Sequence, residues 1–259
     1  PSDLPRQIVV IAATCFMLIA AVVGVGALGG TPVQDLQNGA LDVDGSLLAP
    51  GRPAFSIWSV IYVGIVVYAV WQALPAQRTN RRQRVIGWWI AASAVLNGLW
   101  LVAAQFSTLP VTVAAIIALL IVLCIAFRLT VVHPGERWDA WITDIPTGLH
   151  LGWVSVATVA NIAGWLTASG IDVPAPAIWG VVVVAVVGVI GIAIGILSGG
   201  RFAPPLAMAW GLAWLAYQRL TGEPASTAIA VAAIIAAGAI IVAAVVSRLR
   251  MPARKPEAY

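Results

Sequence analysis

Eight apolar runs of bilayer length dominate this 259-residue chain. They fall at about 7–29, 55–74, 85–105, 111–127, 147–166, 178–197, 203–218 and 227–246. A hydrocarbon core takes about 20 residues of helix, and backbone inside it must satisfy its own hydrogen bonds. The runs therefore predict an all-α, polytopic membrane helix bundle with about eight spans. The seventh run is the shortest and opens on Pro204-Pro205, which suits a first helical turn. Only 9% of residues are charged and 61% are hydrophobic, against about one quarter charged in soluble domains. That balance excludes a soluble enzyme and a disordered regulator. The net charge of +4 is spread over short breaks between the runs. It marks loops rather than a phosphate-tracking groove, so no nucleic acid is expected as a partner. The expected surroundings are the lipid bilayer.

The basic residues set the orientation. With both termini on the cytoplasmic side, the inside segments hold Arg6, Arg78, Arg81, Arg82, Arg84, Arg128, Arg137, Arg201, Arg248, Arg250, Arg254 and Lys255. The outside segments hold only Arg52 and Arg219. The first run is longer than a usual signal-peptide core and no clear small-residue cleavage site follows it, so a retained helix is expected. Arginine richness with a single lysine, Lys255, suggests a GC-rich bacterial genome and hence a bacterial plasma membrane. The longest connection, about 30–54, carries Asp35, Asp42 and Asp44. A loop of that length reads either as a lid or as a solvated connector.

The runs lack several signatures. No charge lies well inside a span, which removes the usual mark of ion-coupled transport. No lysine is available for a retinal Schiff base, and no DDxxD-like pair for a magnesium diphosphate. Cys15 and Cys124 both sit in apolar runs and read as small core residues rather than a disulfide or a metal pair. No metal site is expected, and no cofactor is required. Gly24-Val25-Gly26-Ala27-Leu28-Gly29 spells a dinucleotide fingerprint, but it ends an apolar helix and follows no strand. Gly191, Gly195 and Gly199, with Ala232 and Ala236 on the last run, provide small faces for close helix approach, within the bundle or in a homodimer.

What the spans do contain is aromatic. Phe55, Trp58 and Tyr62 share one face of the second helix, and Ser93, Asn97 and Trp100 one face of the third. His150, Trp153, Ala157 and Asn161 share a face of the fifth. Flat rings beside small residues and a few polar handles suit an apolar pocket with orienting hydrogen bonds. The same side chains also suit helix–helix contact, in which the asparagines bond across helices.

These helices resemble the TspO/MBR family, the tryptophan-rich sensory proteins. The second helix is entered through Pro50-Gly51-Arg52-Pro53-Ala54-Phe55 and continues Ile57-Trp58-Ser59-Val60-Ile61-Tyr62. The third carries Leu96-Asn97-Gly98-Leu99-Trp100. The fifth runs from Pro146 through Trp153-Val154-Ser155-Val156-Ala157 to Asn161 and Trp165. The resemblance covers residues 7–166 and implies a TspO-like five-helix transmembrane core, followed by a three-helix extension at 178–250. It implies a hydrophobic ligand such as a porphyrin or other tetrapyrrole, or a carotenoid or isoprenoid, which the protein binds, carries or senses. Phe55, Trp58, Tyr62, Asn97, Trp100, His150, Trp153, Ala157 and Asn161 are the expected ligand-binding residues. Trp58 and Trp153 match tryptophans that some members use to photo-oxidise porphyrin. An accessory subunit of a larger membrane complex, without turnover, is the alternative reading. Typical first loops of the family carry aromatic and lysine residues over the ligand, whereas none stands between Gly30 and Ala54 here. Ile162 replaces the tyrosine of the sterol-type motif, so sterol binding is not implied.

Overall fold

The computed structural model describes residues 3–171 and 173–250. Arg254 and Lys255, counted above in the charge pattern, lie outside the described residues. All regular structure among the described residues is helical. Eight long helices account for it: α1 (Leu4–Gly24), α2 (Ile57–Ala73), α3 (Arg81–Phe106), α4 (Leu109–Val132), α5 (Ile145–Ala168), α6 (Pro176–Leu197), α7 (Ala203–Thr221) and α8 (Thr227–Arg250). Seven are long and apolar enough to cross a membrane, and the chain is a multi-pass membrane protein. The helix α7 falls short of that apolarity. It packs between α5 and α8, and its composition includes Pro204, Pro205, Gln218 and Arg219, while Leu206, Trp210, Tyr217 and Leu220 form an exposed apolar stripe.

Helix boundaries follow local chemistry. Prolines occupy the first turn of α1, α4, α5, α6 and α7, where a missing N–H costs nothing. Asn80 caps α3, accepting from the backbone N–H of Arg82 at 3.0 Å and of Gln83 at 3.3 Å. The first helix stops at Gly24 and not at residue 29, because Gly26 and Gly29 have φ of +91° and +84° and turn the chain away. The second span is entered through a tight 3-10 segment, Arg52–Ser56. The fifth begins earlier than its apolar run. A helical turn at Arg137–Asp139 and a wider π-type turn at Ala140–Asp144 lead into it, so Trp138 and Trp141 are helical.

Helices α1 to α5 close a ring in the order α2, α1, α3, α4, α5. Its interior is filled by Met17, Ile61, Ile86, Ile116, Leu119 and Trp153. Beyond α5 the neighbours are α7, then α8, then α6. A second apolar cluster, around Val184, Met208, Leu212, Ala233 and Ile240, holds these three together. The small-residue face of α6 settles where it packs: a side chain at Gly188 would meet Ala236 Cβ at 3.1 Å, and one at Gly195 would meet Ala244 Cα at 3.5 Å. The ladder therefore serves α6–α8 packing inside the bundle. Gly199 takes no part, since it lies beyond the helix with φ +69°. Cys15 and Cys124 are free and exposed on outward helix faces, not in the core. An apolar run in a membrane bundle has a lipid-facing side, and both cysteines are on it.

The charges do not all mark solvated loops, as composition suggested. At one end of the bundle Arg6 is buried, donating to Gln72 Oε1 at 3.0 Å and to the Gln77 carbonyl at 2.9 Å. Arg82 pairs with both Asp139 and Asp144, and Arg201 reaches Asp144 at 2.5 Å. Arg82 comes from the start of α3, both aspartates from the segment before α5, and Arg201 from the α6–α7 connection; pairing offsets the cost of removing the charges from water.

Candidate functional site

The aromatic faces of α2, α3 and α5 meet below the 30–54 loop. Trp58 is the hub. It stacks on Tyr62, with ring centroids 5.3 Å apart and planes 24° apart. It meets Trp153 edge-on at 6.1 Å and His150 edge-on at 5.7 Å. Phe55 lies edge-on to Trp153 at 5.6 Å. These are the offset and T-shaped arrangements that ring quadrupoles favour.

Two adjoining cavities open around this cluster. The larger, about 560 Å³, lies between α1, α2 and α3. Phe55, Trp58, Tyr62 and Trp100 form one wall, and Leu18, Ala21 and Leu101 another. The smaller, about 40 Å³, reaches toward α5, where Trp153, Ala157 and Asn161 line it. Val33, Phe55, Trp58 and Trp100 border both. Six of the nine residues expected from the sequence thus line the smaller cavity, and Tyr62 joins them in the larger. Asn97 and His150 line neither. Asn97 stands behind Tyr62 and accepts its O–H at 3.1 Å. Asn161 accepts the Thr112 hydroxyl at 3.2 Å, a bond between α5 and α4.

The polar groups of this region are unusually under-used. The indole N–H of Trp100, the indole N–H of Trp153 and Nδ2 of Asn97 are buried and have no hydrogen-bond partner among the described residues. A buried unmade donor costs about 1–3 kcal/mol, and such groups are few in folded proteins. Two of these donors belong to Trp100 and Trp153, which line the smaller cavity, and favour a guest that brings acceptors. Among the described residues no three His, Cys, Asp or Glu side chains converge as metal ligands. The chemistry on offer is stacking and hydrogen-bond donation.

The 30–54 connection, which the sequence left open between a lid and a solvated connector, roofs the smaller cavity. Val33, Ala40, Leu41, Asp42, Ala49 and Pro50 come down from the loop to line the smaller cavity. The loop is held at several points. Gln37 Nε2 donates to the Ser107 carbonyl at 2.7 Å, at the end of α3. Gly164 on α5 leaves room for the Ala40 carbonyl, which any side chain there would strike. Arg52 grips Asp42 with two bonds, Nε to Oδ1 at 3.0 Å and Nη2 to Oδ2 at 2.5 Å. Burial alone would raise the Asp42 carboxyl, but the Arg52 bonds and charge and the Val43 N–H outweigh it, so it sits below its ordinary value.

The rest of the roof hangs on α7. The Gly51 N–H donates to the Trp214 carbonyl at 3.2 Å, and the Trp210 indole donates to the Ala54 carbonyl at 2.9 Å. Arg219, read from sequence as an outside loop charge, is only 1% exposed. Its guanidinium donates to the carbonyls of Val43 at 2.7 Å, Ser46 at 3.3 Å and Pro224 at 2.7 Å. The single signal that could have found it was its isolation: with Arg52, it breaks an otherwise one-sided distribution of basic residues.

Compared with known proteins, residues 7–246 match the family described as TSPO-like protein. The matched region includes the last three helices as well as the five-helix ring. No curated protein and no solved structure matches the chain.

Proposed function

The chain belongs to the TSPO-like protein family, and from that premise we propose that it binds a flat, largely hydrophobic ligand carrying hydrogen-bond acceptors, of the tetrapyrrole or isoprenoid class. The observation that carries this reading is the pair of adjoining cavities that share Phe55, Trp58 and Trp100, with Trp153 on the smaller one, where the indole N–H groups of Trp100 and Trp153 have no partner among the described residues. Aromatic walls supply stacking area, and the Trp100 and Trp153 donors orient a carbonyl or carboxylate. The volume of about 560 Å³ lies within the roughly 300–1,000 Å³ usual for small-molecule sites.

In this reading the protein works in a bacterial plasma membrane, with its arginine-rich end cytoplasmic and the roofed cavity toward the other side. The positive-inside pattern supports that placement. Of the three C-terminal helices, α7 serves the site indirectly, by holding the roof through Trp210, Trp214 and Arg219.

The test is tryptophan fluorescence of the full chain in lipid nanodiscs, titrated with protoporphyrin and with a carotenoid. Saturable quenching at one ligand per chain is expected for at least one of them. Quenching that rises linearly with both, as lipid partitioning produces, would overturn the proposal.

A further inference from the structure

His150 stands apart from the cavities just described. It is 1% exposed, and its Nε2 has no hydrogen-bond partner among the described residues. It lines a separate small cavity of about 10 Å³, whose other polar neighbours are Tyr68, Ser93, Thr143 and Thr147. No carboxylate or guanidinium lines it. The titratable group facing His150 there is the Tyr68 phenol, from α2. The charged groups stand one step further back, at Asp139 and Arg82.

Every hydroxyl around this cavity already has its proton committed. Ser93 donates to the Ile90 carbonyl at 2.8 Å, and Thr147 to the Thr143 carbonyl at 2.7 Å. Thr143 donates to Asp139 Oδ1 at 2.9 Å. Gln83 Nε2 also donates to Asp139 Oδ1, at 2.9 Å, which turns Gln83 Oε1 toward Tyr68. The Tyr68 O–H donates to that oxygen at 2.8 Å. What the lining residues still offer is acceptor lone pairs and the imidazole of His150. A single water satisfies this set. It bonds to the hydroxyl oxygens and to the imidazole, within a space close to the roughly 10–15 Å³ that one water needs.

We propose that the cavity beside His150 is a binding site for one water molecule, which completes a hydrogen-bonded column from His150 through Tyr68 and Gln83 to the Asp139–Arg82 ion pair. The column joins the ring that rests edge-on against Trp58 to the arginine-rich end of the bundle. That water is the exchange partner of the His150 ring N–H.

The test needs no ligand, so it stands or falls separately from the ligand-binding reading. The chain has two histidines, His133 and His150, so ¹⁵N-histidine labelling of the full chain in nanodiscs gives two ring systems. The expected result is magnetisation transfer from a bound water to the His150 ring N–H. Its exchange with D₂O should slow by about tenfold in Thr147→Val, which replaces a hydroxyl that the water bonds by a methyl, with His133 unchanged. Ser93→Val should slow it similarly. A wild-type His150 with no water contact, or equal exchange in all three proteins, would overturn the proposal. So would a His150 signal that moves on adding Na⁺ or K⁺, which would assign the cavity to a cation instead.

Discussion

Arg219 and Val43 are 176 positions apart in the chain, yet the guanidinium of one donates to the carbonyl of the other at 2.7 Å. That bond ties the roof of the cavity to a helix outside the five-helix ring. Replacing Arg219 by Met removes it and leaves the Val43 and Ser46 carbonyls buried without that donor. Charged hydrogen bonds contribute about 1.5–3 kcal/mol, so Arg219→Met should lower stability by about 2 kcal/mol. The roof should also open. In a background lacking Cys15 and Cys124, a cysteine placed by Ala49→Cys should react faster with a water-soluble maleimide when Arg219 is Met. Unchanged labelling would show that the other anchors suffice.

The Asp42–Arg52 clamp should fail in acid. The folded state holds the Asp42 carboxyl below its ordinary value, so its contribution is present above the usual carboxylate range and lost as pH falls through the folded value. Roof protection, read by hydrogen exchange over residues 40–50, should therefore be flat from pH 7 to about 4 and fall below that. Asp42→Asn should show the weaker protection at every pH.

Trp153 separates binding from folding. Trp153→Phe keeps a buried ring but removes an indole N–H that has no partner in the folded chain. Stability should change by about 1 kcal/mol or less from hydrogen bonding, since none is lost. Affinity for an acceptor-bearing ligand should fall by up to about tenfold, the worth of one hydrogen bond. Equal titration curves for the two proteins would remove Trp153 from ligand orientation.

Two glycines make a matched pair. A Cβ at Gly191 on α6 would stand 2.7 Å from Ile240 Cγ1 and 3.1 Å from Met208 Cε, whereas one at Gly238 on α8 meets nothing within 4 Å. Gly191→Ala should destabilise by about 1–3 kcal/mol through overpacking. Gly238→Ala should be neutral or stabilising by up to about 1 kcal/mol. Thermal unfolding of both variants in one detergent checks the contrast.

The legible parts of this protein are those written as periodicity. Phe55, Trp58 and Tyr62 can be placed on one face from spacing alone, as can His150, Trp153, Ala157 and Asn161, because a helix converts sequence offset into direction. The family motifs fall on those same faces. What spacing cannot convey is meeting at a distance. Arg82 finds Asp139 and Asp144 from 57 and 62 positions away, so three apparent loop charges become a buried cluster. Which loop residues form the roof was hidden for a related reason. Ala40 and Ala49 carry no chemical signal of their own and gain importance only through the anchors that place them. Helix α7 was the shortest apolar run because Gln218 and Arg219 end it, and the partners of Arg219 lie far off in the sequence.

The order of helices in space has a consequence for how the chain is made. The main partner of α6 is α8, which is synthesised two helices later. When α6 leaves the ribosome and enters the bilayer, its glycine face has nothing to lie against except lipid. It must stay there while α7 docks on α5, and it finishes assembling only once α8 arrives. Since α7 also secures the roof, the cavity becomes complete late in translation, after the five helices that wall it are already in place.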